Sequence, residues 1–281
     1  MLKQRIITAL LLLAFLIPAV LHPDPDVFAL AAMCLIAAGA WEWARLNQIG
    51  QTGAITVAVF CAVACCLTWA SGMTLLPLKP LWLVSGCAWV FFGAWILWGG
   101  TKAWSRLPQT LRLVSGIMGL WVAWVAVAKA RMLGINFLLS VLVLVWAADI
   151  FAYFVGRTLG GRIFHRKLAP SISPGKTWEG ACGAVVGVFV CAFLWRELET
   201  ITFLGAPSLY TRLGQGNMGF MLVALLFLTM MSIVGDLVES LFKRSAGVKD
   251  SSGLLPGHGG VLDRIDALLP ILPLAIMMTS A

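Results

Sequence analysis

Aspartates within strongly apolar segments are the residues of this sequence whose types and spacing could do chemistry. Asp149 and Asp236 lie inside such segments, and Asp263 and Asp266 stand one helical turn apart at the start of another. Ionisable groups in apolar surroundings are costly, so they mark functional sites by default. Clustered carboxylates suit a hard cation such as Mg²⁺. The sequence therefore predicts a cation site.

Spacing places several of these polar groups on common helix faces. Asp236, Glu239, Ser240 and Lys243 follow i, i+3, i+4, i+7 spacing and share one face. Asp149 precedes Gly156 by seven residues, which puts it roughly 10 Å below the end of its segment. Acids on three helices thus lie at a similar distance below the same ends of their apolar segments. The alternative is that each acid forms a structural ion pair with a neighbouring Lys or Arg.

The first polar loop ends in a sequence that could hold phosphate. Gly175-Lys176-Thr177 resembles the end of a P-loop, but Pro170 stands where that motif requires glycine. A lysine, hydroxyls and a glycine before a helix amino terminus can still bind an anion. A basic loop that rests on lipid headgroups is the alternative interpretation.

The second polar loop combines cations, glycines and acids. Pro256-Gly257-His258-Gly259-Gly260 permits close approach of a ligand to the backbone, and Asp263 and Asp266 follow it. Together the two loops describe a site for phosphates and metal at a membrane surface. The cations that this loop supplies are Lys243, Arg244, Lys249 and Arg264.

The elements that must position these residues are membrane helices. Of 281 residues, 60% are hydrophobic and 11% are charged, which excludes a soluble globular enzyme, a disordered chain and a secreted disulfide scaffold. We predict an all-α polytopic membrane protein with about nine transmembrane helices. The predicted spans are Ile6–Leu21, Val27–Ala44, Ala54–Ala70, Pro80–Trp98, Leu113–Ala128, Ile135–Val155, Gly180–Trp195, Met218–Leu241 and Val261–Thr279.

The positive charges predict the orientation. Fifteen of the 20 Lys and Arg residues fall on the side of the amino terminus and of both polar loops. Cytoplasmic loops carry excess Lys and Arg, so this side is predicted to be cytoplasmic. The net charge of +8 is then explained by loops that face anionic lipid. The sequence has no basic stripe with interleaved aromatic residues, so nucleic-acid binding is not expected.

Polar sequence is distributed unevenly along the chain. We predict that residues 1–130 form a hydrophobic helical region of about five spans that serves as scaffold and lipid contact. Residues 131–281 then form the catalytic membrane region, with cytoplasmic polar loops at 156–179 and 242–262.

The stretch from Ser240 to Asp266 resembles the signature of the phosphatidate cytidylyltransferase (CDP-diacylglycerol synthase) family at every fixed position. Asp149 to Gly156 and Ser173 to Gly180 are similar to that family as well, and so is Trp41-Glu42-Trp43. The resemblance implies conversion of CTP and phosphatidate to CDP-diacylglycerol and pyrophosphate, for phospholipid biosynthesis. No protein nucleophile is required, because the lipid phosphate attacks the α-phosphorus of CTP.

The resemblance also implies site roles, which we write as expectations. Mg²⁺ is the expected cofactor, with room for a second cation, and a homodimer in the bacterial cytoplasmic (inner) membrane is the expected state. The active site would face the cytoplasm. The expected metal ligands are Asp236, Asp263, Asp149 and Asp266. The expected catalytic residues are Asp236, Asp263, Lys249 and His258. The expected substrate contacts are Lys176, Thr177, Ser240, Lys243, Arg244, Asp250 and Arg264.

Two alternatives stay open. A CTP-dependent polyprenol kinase would share the nucleotide and the membrane setting but transfer the γ-phosphate to an alcohol. A cation-coupled transporter could use acids within the membrane, although transporters usually place their sites near the midplane and show inverted repeats.

Overall fold

The protein is a bundle of long helices, described by a computed structural model over residues 2–202 and 205–280. Within that part of the chain, eight helices are long and apolar enough to cross a membrane. They are α1 (Leu2–Leu21), α2 (Pro25–Leu46), α3 (Gln51–Ala70), α4 (Lys79–Arg106), α5 (Gln109–Leu133), α6 (Ile135–Leu159), α7 (Trp178–Ile201) and α9 (Met218–Ser245). The all-α polytopic membrane prediction is confirmed.

Shorter elements connect these helices. A 3₁₀ turn spans Met73–Leu75, and α8 spans Leu209–Gly214. The first polar loop contains a small antiparallel hairpin of β1 (Lys167–Ala169) and β2 (Ser173–Thr177), in which Lys167 pairs with Thr177. Thr177 then caps α7, because its hydroxyl accepts the N–H of Gly180 at 3.1 Å.

The ninth predicted span is not one helix. It is divided into α10 (Leu262–Ile265) and α11 (Leu268–Thr279), although the backbone at Asp266 and Ala267 keeps helical angles. Pro270 has no N–H to donate to the carbonyl of Asp266, so the hydrogen-bond ladder is interrupted there. α11 is 12 residues long and is buried from Pro270 to Ile276, which makes it a core helix.

Helices α6 and α7 pack closely because small residues face α6. A Cβ atom at Gly183 would lie 2.5 Å from Cβ of Val155, and one at Gly187 would lie 2.2 Å from Cγ of Phe151. Close helix approach through small residues is a common way to pack membrane helices. This contact fixes the start of α7, and with it the hairpin, beside the end of α6.

The orientation prediction can be tested by labelling from outside the cell. Ser171 lies exposed in the first polar loop, and Gly216 lies exposed before α9, with no atom within 4 Å of an added Cβ. We expect Gly216→Cys to react with a membrane-impermeant thiol reagent in intact cells. Ser171→Cys should react only after the membrane is permeabilised.

The parent protein is the control, because its own cysteines are free and set the background of labelling. Labelling of Ser171→Cys in intact cells would reverse the predicted orientation.

Candidate active site

A salt bridge between Lys176 and Asp236 joins the first polar loop to α9. Nζ of Lys176 lies 2.5 Å from Oδ2 of Asp236, and the two side chains are 24% and 32% exposed. The hydroxyl of Ser240 donates to Oδ1 of Asp236 at 3.3 Å. The hairpin delivers Lys176 to this point from its second strand. A predicted phosphate contact and a predicted metal ligand are therefore brought together at an accessible position.

Two further acids lie near Asp236. Asp149 on α6 and Asp266 at the junction of α10 and α11 lie within the range over which their carboxylates repel that of Asp236. Oδ1 of Asp266 accepts the N–H of Ala267 at 2.7 Å. Acids from α6, α9 and the junction of α10 and α11 thus form one electronegative cluster.

The donor types of this cluster fit a hard cation such as Mg²⁺. Over residues 2–202 and 205–280, no three His, Cys, Asp or Glu side chains converge into a metal cage. Mg²⁺ is commonly held by one or two carboxylates together with water and substrate phosphates, without a cage made wholly of protein. Asp236 and its acidic neighbours could supply that share of the ligands.

Lys243 lies between two carboxylates in the interior. Its Nζ is 2.5 Å from Oε2 of Glu239 and 2.5 Å from Oδ1 of Asp263, and all three side chains are largely buried. Lys243 is therefore not a free phosphate ligand in this structure. It holds the end of α9 against the start of α10.

Asp263 also anchors the second polar loop. Its Oδ2 accepts the N–H of Gly260 at 2.7 Å, and both the N–H (2.9 Å) and the hydroxyl (2.8 Å) of Ser251. Burial alone would raise the pKa of Asp263, but Lys243 and these donors outweigh it and hold that pKa below its ordinary value. Asp263 stays a predicted metal ligand, and it has a structural role as well.

Glu42 holds the other side of the same loop. This fully buried residue near the end of α2 accepts the hydroxyl of Ser252 (2.5 Å) and shares the single hydroxyl hydrogen of Ser251 (3.0 Å) with Asp263. It also accepts the backbone N–H groups of Val261 (2.8 Å) and Leu262 (2.7 Å). One carboxylate thus pairs with two loop hydroxyls and with two N–H groups at the start of α10, which have no intrahelical partner.

Glu179 has the same role in the first polar loop. It is buried at the start of α7, and its Oε1 accepts the N–H groups of Gly161 (3.0 Å), Ile163 (3.1 Å) and Phe164 (2.9 Å). Each polar loop is therefore wrapped around a buried glutamate.

The remaining predicted residues occupy varied positions. Arg244 links the loops, because its Nε donates to the carbonyl of Ile172 at 3.3 Å and its guanidinium also donates to Val248 at 3.2 Å. His258 is partly buried, and its Nδ1 has no hydrogen-bond partner. Lys249, Asp250 and Arg264 are exposed.

The close approach of Ser251 and Glu42 to the backbone requires a glycine at position 260. A Cβ atom there would lie 2.0 Å from Oγ of Ser251 and 2.4 Å from Oε1 of Glu42. The preceding Gly259 has a φ of +82°, in the left-handed region that favours glycine. The two glycines let the loop close around the carboxylates of Glu42 and Asp263.

The sequence profile of the cytidylyltransferase family matches residues 3–281 of this chain. The chain belongs to the cytidylyltransferase family. The phosphatidate cytidylyltransferase of Pseudomonas aeruginosa is 39% identical, over 97% of this chain and 95% of that protein. The one from Haemophilus influenzae is 35% identical, over 97% of this chain and 96% of that protein. The relative from Bacillus subtilis is 41% identical over 50% of this chain.

Two organising residues of the site, Glu42 and Glu179, are not among the site residues that the sequence predicted. In the sequence they occur only within Trp41-Glu42-Trp43 and within Ser173 to Gly180. Their signal is an acid at the boundary of an apolar segment. The division of the chain at residue 130 stays a prediction, but Glu42 shows that the amino-terminal part also shapes the polar loops.

Replacing Glu42 by Gln should loosen the second loop without unfolding the bundle. The amide can accept from some of the four donors but loses the charge, and a hydrogen bond to a charged group is worth about 1.5–3 kcal/mol. We expect amide hydrogen exchange at Val261 and Leu262 to speed up by about tenfold or more.

The matched control is Glu197→Gln, which changes an exposed glutamate on α7. Unchanged exchange at Val261 and Leu262 in Glu42→Gln would show that the carboxylate does not hold the loop.

Proposed function

We propose that this family member transfers the cytidylyl group of CTP to phosphatidate, giving CDP-diacylglycerol and pyrophosphate. The observation that carries the proposal is the Lys176–Asp236 pair, which lies between two polar loops at the end of an apolar bundle. The printed names of the similar bacterial proteins support this choice of substrates.

The pair has the charges that a metal–nucleotide complex requires. Asp236 can release Lys176 to bind a cation, and Lys176 can then bind a phosphate oxygen. Exchange of one internal ion pair for two new ones keeps the local charge balanced. Arg264 lies within electrostatic range of Asp149, and exposed Lys249 adds positive charge to the second loop, which favours a polyanion.

The reaction is a displacement at phosphorus that needs positioning and charge neutralisation more than a protein nucleophile. Mg²⁺, held by Asp236 with Asp149 and Asp266 nearby, would supply neutralisation of the triphosphate and of the leaving pyrophosphate. Lys176 orients a phosphate, and the two glutamate-centred loops keep it in place. Asp263 is also a predicted metal ligand. To bind the cation, its carboxylate would give up one of the hydrogen bonds that it accepts from the second loop.

The location also suits the two substrates. We propose that the site faces the cytoplasm of a bacterial cell, from the inner membrane, because CTP is soluble and phosphatidate keeps its acyl chains in lipid. A homodimer is part of the proposal through family resemblance. Pyrophosphate as the released product separates this function from that of a CTP-dependent lipid kinase, which would release CDP.

Lys176→Met tests the phosphate contact. Loss of one charge-assisted contact costs about 1.5–3 kcal/mol, so we expect kcat/KM for CTP to fall roughly 10- to 150-fold. Pyrophosphate release by the purified protein, with phosphatidate and Mg²⁺, is the measurement. Lys102→Met, at an exposed lysine of α4, is the control and should behave as the parent. A change below twofold in Lys176→Met would remove this residue from the site.

Asp236→Asn tests the metal contact. The substitution keeps size but removes the charge, so turnover should fall by about 100-fold and the residual activity should need more Mg²⁺. Asp263→Asn, at a predicted ligand that also holds the loop, should raise the Mg²⁺ requirement and speed amide exchange at Gly260.

The control is Asp26→Asn at the start of α2, on the side predicted to be outside. If Asp236→Asn purifies folded with an unchanged Mg²⁺ requirement, Asp236 does not bind the cation.

A further inference from the structure

A long apolar groove runs beside the proposed site, on a different face of α9. Its volume is about 600 Å³, within the range of sites that hold a ligand-sized molecule. Helices α4 and α5 form its sides, and Gly235, Val238 and Glu239 of α9 form part of its inner wall.

The groove has the length and direction of an acyl chain. On α4 its lining extends from Leu81 to Trp95, which is about 21 Å at 1.5 Å per residue. It therefore follows the helix axes through much of an apolar layer of about 30 Å. Lining residues Val84 and Met118 are 66% and 50% exposed, so the groove opens sideways between α4 and α5 to the surface that faces lipid.

Ionisable groups occur only near one end of the groove, among the residues the structure describes. Glu239 lines it there; Oε2 faces Lys243 at 2.5 Å, and the buried Oε1 has no hydrogen-bond partner. Trp43 also lines this end and packs against Trp104, and the Arg112 guanidinium lies 5.9 Å from the ring of Trp104. An amphiphile in the groove would keep its polar head at this end, next to Asp236 on α9.

We infer that this groove binds one acyl chain of the lipid substrate, with the headgroup directed to the Lys176–Asp236 pair. The inference rests on the proposed function, because that function supplies a lipid with an anionic head. The groove and the proposed site share α9: Gly235 and Glu239 line the groove, and they precede and follow Asp236 in the chain. Its lining would then determine which chain lengths are used.

Gly119 offers a way to fill the groove. It lines the cavity, and an added Cβ would meet no atom within 4 Å. We expect Gly119→Leu and Gly119→Phe to lower kcat/KM for dioleoyl phosphatidate relative to dioctanoyl phosphatidate. Each methylene displaced from the groove costs about fourfold in affinity, so the ratio should fall by about tenfold or more.

The matched control is Val63→Phe, which enlarges a lipid-facing side chain of α3 outside the groove. Its ratio for the two lipids should equal that of the parent. An equal loss of activity with both lipids in the Gly119 variants, or no loss with either, would overturn the inference.

A second measurement uses the unmodified protein and does not depend on turnover. Phosphatidate with a diazirine near the end of one acyl chain is photolysed in vesicles, and the labelled peptides are identified. Labels should concentrate on the groove residues of α4 and α5. Labels confined to α6 and α7 would overturn the inference. So would a crosslink between two copies of the chain through Met118→Cys, because a second copy would then cover the groove.

The two failures can be told apart. If the parent releases no pyrophosphate from CTP with phosphatidate, the proposed function fails, and the labelling pattern still decides whether the groove binds an acyl chain.

Discussion

The need to satisfy backbone N–H groups at the edge of an apolar bundle governs the site. Two long polar loops leave the membrane helices here, and each is closed around one buried carboxylate. Glu42 accepts four donors from the second loop, and Glu179 accepts three backbone N–H groups from the first. An unsatisfied buried polar group costs free energy, so these glutamates stabilise one loop conformation over others. The hydrogen-bonded loops then present Lys176 and the acid cluster in fixed positions.

Charge in the site is arranged at two degrees of burial. The Lys243 ion pairs with Glu239 and Asp263 are largely buried and connect α9 to the second loop. The Lys176–Asp236 pair is partly exposed and can exchange its partners. A buried pair that loses one partner leaves an uncompensated charge, whereas an accessible pair can be replaced by substrate and cation. The buried pairs therefore maintain structure, and the exposed pair is suited to chemistry.

The sequence predicted most of the helices and much of the site, because both depend on local information. Hydropathy predicted nine spans, of which eight are membrane-length helices, and i, i+3, i+4, i+7 spacing placed Asp236 and Ser240 together. The sequence did not predict that α10 and α11 are separate helices. Their separation depends on the carbonyl of Asp266, which Pro270 leaves without an N–H donor. The sequence also did not assign Glu42 its partners, which lie 209 to 220 residues later in the chain. Contacts of this range depend on tertiary packing and leave no periodic pattern in the sequence.

The same separation has a consequence for biosynthesis. A ribosome adds about 5–20 residues per second, so the carboxylate of Glu42 exists for roughly 10 to 40 seconds before Val261 and Leu262 are made. During that time, burial of the charge without donors would cost several kcal/mol. The end of α2 must therefore stay hydrated while later helices insert. The donors of Glu42 are complete only once the carboxyl-terminal segment is made, so a chain that ends before Val261 would leave this carboxylate without its two backbone partners.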